Sequence, residues 1–335
     1  MEGIRMNDWS TEVVGQYDLN IEGIRRGRGA WIIESNDGLC LLKEYRGSVK
    51  RLEFEELALK ALETARSLRV DQYVRNREGE LLSTASDGTK YVIKRWFSDR
   101  ECNLKDPEEI LSEVHQIAVL HQKLREVEMK EEWNLRSMIA PKLYEPMKKH
   151  NRELKKAKGY IREKRKKNEF ELCVIESFPE FYDQAVKAAD GMEALYAENG
   201  EELKEGCFLC HGNLDQHHIL IGDGYTAVTE FGGMHLGLQT EDLYSFMRKV
   251  MEKHDWDCKL GEAMLDVYER VLPMSPIERE CLYYLFLYPE KYWKQINFYY
   301  NTNKAWIPAR NTEKIMVLKQ QEIRRLSFME KLLSE

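Results

Sequence analysis

The chain has 335 residues, a third of them charged (33%), and a formal net charge of −7. This length suits two packed lobes, and the acidic balance gives no general attraction to nucleic acid or an anionic membrane. The longest apolar run, residues 281–288, is far short of the roughly 20 residues a bilayer crossing needs, which excludes a membrane span. No apolar signal core stands in residues 1–14, so synthesis in the cytosol is expected, and seven scattered cysteines fit reduced thiols better than a disulfide framework.

Short strands are expected over 13–19, 29–35 and 39–45, with turns at Gly27-Arg28-Gly29 and Asn36-Asp37-Gly38. Gly27 and Gly29 either let backbone amides approach an anion or simply close a hairpin. Lys43 stands inside the otherwise apolar run Leu41-Leu42-Lys43. A helix is expected over 49–66, with Leu52, Leu59 and Leu62 on an apolar stripe and Glu55 and Glu56 in reach of the preceding strand. Strands resume at 72–74 and 89–97, and 95–102 leads out of the sheet. Asp106, Pro107 and Glu109 then mark a helix start.

Residues 148–167 form a dense basic segment. It reads either as the solvated face of a helical hairpin or as a contact for an acidic protein; without interleaved aromatics it does not read as a nucleic-acid surface. Another helix is expected over 176–196. Cys207 and Cys210, followed by His211, make a CxxCH. Haem attachment requires an oxidising compartment and zinc requires a second cysteine pair, so a buried strand with small hydrophobic thiols is the favoured reading. A helix start is read at Thr240, and the remaining chain is helical and aromatic-rich.

The stretch His211-Gly212-Asn213-Leu214-Asp215-Gln216-His217-His218 resembles the catalytic loop of the kinase-like phosphotransferases, with Asn213 and His218 at its two working positions. The resemblance implies an α+β, bilobal protein-kinase-like fold: an antiparallel-sheet N-lobe with one helix over 1–98 and a mainly helical C-lobe over 99–335. It implies ATP and magnesium as cofactors, Lys43 on the phosphates paired with Glu55 or Glu56, a phosphate-covering flap at Gly27 and Gly29, a metal-ligating carboxylate at Glu230, and framework roles for His211 and Asp242. An amide at 213 has no useful basicity, and loss of such a base costs roughly 10²–10⁴ in rate. Imidazole at 218 suits magnesium poorly, since that ion prefers hard oxygen ligands. Glu230 carries its oxygens one methylene further than the usual aspartate.

The run Lys94-Arg95-Trp96-Phe97-Ser98-Asp99-Arg100-Glu101-Cys102, the helix ending Ala118-Val119-Leu120-His121, and the segment from Tyr288-Pro289-Glu290 to Asn301 are together similar to the CotS family of bacterial spore coat proteins. That resemblance implies a kinase-like coat component with spore coat proteins as partners and the coat as destination. Three altered chemistry positions favour a pseudokinase acting by partner binding. The alternatives are an active phosphotransferase in which Asp215 or Glu230 takes over, and an ATP-binding switch without transfer. If the basic segment contacts an acidic coat partner, replacing four of its lysines with glutamine releases the protein from its coat layer; unchanged localisation in spores would leave that segment a solvated face.

Overall fold

The computed structural model describes residues 12–27, 30–63, 67–129, 135–301 and 309–332. Strands β1 (Ile21–Gly27), β2 (Ala30–Ser35) and β3 (Gly38–Glu44) form an antiparallel meander. The turn between β2 and β3 closes as the Asn36-Asp37-Gly38 signal requires, with Gly38 at φ 106°. The expected strand at 13–19 does not form: residues 12–14 are helical, and Val13, Val14 and Tyr17 pack on the sheet. β1 itself escaped the sequence reading because it is mostly solvent-facing and carries Glu22, Arg25 and Arg26 in place of an apolar alternation.

Two compact units are resolved, the first comprising residues 1–103, 115–137 and 211–234, the second 104–114, 138–210 and 235–335. In the first, helix α1 (Val49–Leu62) begins at the N-cap Ser48, whose hydroxyl accepts the Arg51 N–H. The short strands β4 (Leu68–Val70), β5 (Tyr73–Val74), β6 (Ser83–Thr84), β7 (Lys90–Arg95) and β8 (Arg100–Glu101) follow. The main sheet runs β1-β2-β3-β7-β5, with β6 also on β7. Alternation sorts its faces: Ile33, Cys40, Leu42 and Ile93 join Val13, Val14 and Tyr17, while Ile32 and Leu41 join Ala30 and Trp96. Lys94 pairs across from Leu41, and Val92 from Lys43, which puts both lysines on the Leu41 face.

Four strands make a second small sheet in the same unit, ordered β4-β11-β10-β8, where β10 is Ile219–Ile221 and β11 is Thr226–Val228. β11 lies parallel to β4, and β10 antiparallel to β8. The loop 211–218 leads into β10, and the residues after β11 carry Glu230.

The second unit is helical apart from the ribbon of β9 (Phe208–Cys210) and β12 (His235–Gly237). In chain order α2 (Pro107–Arg125) crosses from one unit's residues to the other's. Its start is capped as read: Asp106 Oδ1 accepts from Glu108 N at 3.0 Å. The hairpin of α3 (Tyr144–Glu163) and α4 (Glu169–Glu198) carries the basic segment. There Lys148 and Lys164 are ion-paired with Glu193 and Glu171, while Lys149, Lys155 and Lys156 are exposed. After α5 (Gly200–Glu205), Cys210 is buried in β9, Cys207 lies exposed before it, and every cysteine is a free thiol. The remaining helices are α6 (Thr240–Lys253), α7 (Cys258–Glu269), α8 (Pro276–Leu287), α9 (Glu290–Asn301) and α10 (Ala309–Leu332). A buried guanidinium locks this bundle: Arg325 of α10 is held by Glu322, Gln184 of α4 and the carbonyl of Phe286.

α7 and α10 meet so closely that only a glycine fits. A Cβ on Gly261 would lie 2.3 Å from the ring of Phe328, itself 1% exposed. Overpacking costs about 1–3 kcal/mol, against about 1 kcal/mol gained from alanine's helix propensity. Gly261→Ala should therefore lower stability by up to about 2 kcal/mol, read as a fall in the urea midpoint; a rise would show that Phe328 can turn aside freely.

Candidate functional site

His211 is fully buried and organises the loop around itself. Its Nε2 donates to the Thr229 carbonyl at 2.9 Å, and its Nδ1 accepts the Asn213 N–H at 3.2 Å, which fixes the tautomer. The ring also meets Phe231 edge-on at 4.6 Å. Gly212 takes φ 81°, and a Cβ on Gly233 would come within 3.3 Å of the Gly212 carbonyl, so two glycines let loop and turn touch. Asn213, held by its backbone, presents an exposed side chain that no described residue engages.

Asp215 is turned inward. Its Oδ1 accepts the His217 N–H at 2.8 Å and lies 3.1 Å from His218 Nδ1. That last approach is close enough for an ion pair, yet the angle leaves His218 Nδ1 without a formal hydrogen bond. His218 also lies near enough to Glu230 to act on its charge.

Lys43 and Glu230, far apart in sequence, form an ion pair with Nζ to Oε2 at 2.5 Å. Burial works to raise the Glu230 carboxyl's pKa, but the Lys43 hydrogen bond and the charges of Lys43, Lys94 and His218 outweigh it, and the group lies below its ordinary value. Its backbone is left-handed, φ 69° and ψ 50°, an unusual conformation for a residue with a side chain. What holds it is Asp71, whose Oδ2 accepts the Glu230 N–H at 3.0 Å and the Lys94 ammonium at 2.7 Å. Asp71 is 0% and Lys94 6% exposed. Lys94 also lies 4.6 Å from the centre of the Tyr73 ring.

Glu55 and Glu56 serve other partners than Lys43. Glu55 accepts from Arg51 Nε at 2.9 Å and from the Tyr73 hydroxyl at 2.7 Å; Glu56 pairs with Arg75 and Lys60. Arg51 in turn donates to the carbonyls of Met234 at 2.9 Å and Gly232 at 3.2 Å, tying α1 to the turn after Glu230. Gly27 ends β1 beside Ile32, and Gly29 lies outside the described residues. Asp242 is buried near the start of α6 in the second unit. Among the described residues no three His, Cys, Asp or Glu side chains converge as a metal site. A phosphate would find Lys43; a magnesium ion would find the Glu230 carboxylate, with His218 near it.

Asp71, Lys94 and Arg51 were missed by the sequence reading. A signal for Lys94 did exist, since Val92, Lys94 and Trp96 alternate on one face and a lysine at an inward position calls for a buried counter-charge.

Comparison with known structures gives the class. The fold is that of the kinase-like aminoglycoside phosphotransferases, with an antiparallel-sheet N-terminal lobe and a mostly helical remainder. It is similar to an aminoglycoside phosphotransferase from Alicyclobacillus acidocaldarius subsp. acidocaldarius DSM 446, at TM-score 0.80 and 15% identity over 99% of this chain and 96% of that one. A spectinomycin phosphotransferase in complex with ADP and spectinomycin aligns at TM-score 0.66 and 10% identity over 96% and 99%. A microcompartment-associated aminopropanol kinase aligns at 0.58 and 14% over 97% of each chain. No curated protein sequence matches. The family model described as "Spore coat putative kinase YutH" matches residues 10–332, and the chain belongs to that family, in keeping with the resemblance to CotS-type coat proteins.

Removing one partner of a buried ion pair costs about 3–5 kcal/mol. Lys94→Met should lose about that much stability at neutral pH. Burial raises the Asp71 pKa and Lys94 opposes it; without Lys94 the folded state holds that proton more tightly than the unfolded chain does. The variant's deficit should therefore grow as pH rises above the ordinary aspartate range and shrink on acidification, as urea unfolding across pH will read. A deficit independent of pH would show that Asp71 carries no charge to strand.

Proposed function

We propose that this chain is a kinase-like spore coat component that has lost phosphoryl transfer and works by binding partners during coat assembly. The observation that carries the proposal is the loop itself: His211 holds the backbone of a kinase-like catalytic loop while the side chain at its base position is the neutral amide of Asn213. Phosphoryl transfer depends mainly on positioning and charge stabilisation, but an acceptor hydroxyl still needs somewhere to send its proton.

Two further contacts support this reading. Asp215, the one carboxylate in the loop that could substitute, already accepts the His217 N–H and lies against His218. Lys43, the candidate phosphate ligand, is spent on Glu230, the candidate metal ligand, so each neutralises the other. A nucleotide that bound here would have to replace that ion pair, which makes weak binding with little need for magnesium the natural consequence. Family membership supports the spore coat as the place of action.

The test is transfer and hydrolysis of labelled ATP, run beside thermal unfolding with ATP or ADP, with and without magnesium. Wild-type protein should show no turnover above buffer. A bound ligand at a hundredfold excess over its dissociation constant would add about 2.7 kcal/mol, so any shift is easily read and should vanish in Lys43→Ala. ATP hydrolysis gained by the double variant Asn213→Asp, His218→Asn would show that the pocket survives and only its chemistry has gone. Wild-type turnover abolished by Lys43→Ala would overturn the proposal, and its loss in Asp215→Asn would give the base role to Asp215.

A further inference from the structure

The second unit carries an open pocket of about 210 Å³ between α3, α6 and the α8–α9 corner. That is smaller than a drug-sized pocket and suits a compact ligand. Met147, Leu285 and Tyr288 give it apolar walls. Besides Glu290 and the hydroxyls of Tyr244 and Tyr288, three polar side chains line it: Glu241 and Ser245, one turn apart on α6, and His150 on α3.

None of these three has its hydrogen-bonding capacity used by a described residue. The Glu241 carboxyl is half-buried, yet no described residue reaches it with a hydrogen bond or an ion pair, and the one charge acting on it is that of its neighbour Asp242. Ser245 and the ring nitrogens of His150 are likewise unengaged, although the His150 ring is stacked on Trp293 at 3.5 Å and 18°. The other carboxylate of the cavity makes the contrast. Glu290 accepts from the Tyr244 hydroxyl at 3.0 Å, pairs with Lys294, and lies 3.5 Å from Arg248 Nε. One acid in the cavity is fully satisfied and its neighbour is left bare. A carboxylate left unpaired on the wall of a pocket is placed to orient a ligand from outside the chain.

We propose that this cavity binds a small primary amine, with the ammonium on the Glu241 carboxylate and Ser245 Oγ and the hydrocarbon body against Met147, Leu285 and Tyr288. Charge decides for an amine. Burial and Asp242 together push the Glu241 pKa up to about 8, and the negative potential that disfavours a carboxylate there favours a cation in equal measure. The cations at the cavity's other carboxylate, Arg248 and Lys294, are already paired, Arg248 with Glu252 and Glu290 and Lys294 with Glu290. Burial lowers the His150 pKa, so its ring is neutral at pH 7 and does not repel an ammonium. An anion would meet two carboxylates without a free cation, and a neutral alcohol would gain no charge pairing.

Binding should be linked to proton release. Glu241 holds its proton at neutral pH and must surrender it to pair with the ammonium, which itself titrates only near about 10.4, as a lysine side chain does. The groups facing Glu241 from neighbouring elements are Cys207, Cys210 of β9, Tyr196 of α4, Cys281 of α8, His150 of α3 and His235 of β12, with Asp242 on its own helix. Burial raises the three thiols and the phenol, keeping them uncharged in the working range.

The experiment is isothermal titration of the full chain with n-pentylamine and, as the neutral isostere, 1-pentanol, at pH 7 and pH 8.5 in buffers of different ionisation heat. No nucleotide is present, so the result is independent of the fate of the kinase-like site. The amine should bind about eightfold more tightly at pH 8.5 than at pH 7, releasing close to one proton at pH 7. Glu241→Gln, nearly isosteric, should cost at least about tenfold in amine affinity at pH 8.5, remove the pH dependence and leave pentanol unaffected. Ser245→Val, which narrows the cavity without touching Glu241, keeps the test available should the first variant fold poorly, and should weaken the amine. Equal affinity for amine and alcohol, an affinity flat with pH, wild-type binding by Glu241→Gln, or no amine binding at millimolar concentration would each overturn the proposal.

Discussion

The Asp71 carboxylate is the point on which the kinase-like site turns. One oxygen accepts both the Lys94 ammonium from β7 and the backbone N–H of Glu230. Glu230 has a left-handed backbone that nothing in its own side chain favours, so the conformation persists because this fixed acceptor takes its N–H. Asp71 can be a fixed acceptor only because a buried cation compensates it: alone, a carboxylate so deep would take up a proton and lose half its accepting power. The position of the Glu230 carboxylate, and through it the position of Lys43, thus follows from a buried charge pair away from any solvent.

The rest of the site is arranged in layers around that pair. Arg51 ties α1 to the turn through the Gly232 and Met234 carbonyls, and its other edge holds Glu55. The helix glutamate expected to meet Lys43 is therefore drawn toward Arg51 and Tyr73, and Lys43 pairs with Glu230. A site in which the phosphate-binding lysine and the metal-binding acid satisfy each other is electrostatically complete without a ligand.

The sequence reading recovered what is encoded locally. The loop 211–218 was legible because its residue order is tied to one backbone geometry, and the β2–β3 turn, the Asp106 cap and the Thr240 helix start were legible because turns and caps use few residue types. Strand β1 was not, since a mostly exposed strand bearing Glu22, Arg25 and Arg26 has no apolar period to read. The partners of Glu55 and Glu56 were also out of reach, because helical spacing says which face a side chain occupies and not which of several cations wins it. Asp71 looked like any polar residue at the end of a strand. Its role depends on the register of β7, which brings Lys94 across from Leu41, and on the return of the chain at β11.

That return has a consequence for how the molecule is made. Among the described residues β4 pairs only with β11 and β8 only with β10, so the small sheet of the first unit waits for segments synthesised long after the meander has left the ribosome. Until then the edges of β4 and β8 stand unpaired, and Asp71 lacks the Glu230 N–H. Pairings this distant in sequence are slow to form and leave edges open to wrong partners. An N-terminal fragment ending near residue 103 is thus an incomplete folding unit, and the loop that carries the kinase-like motif is also the segment that closes the sheet.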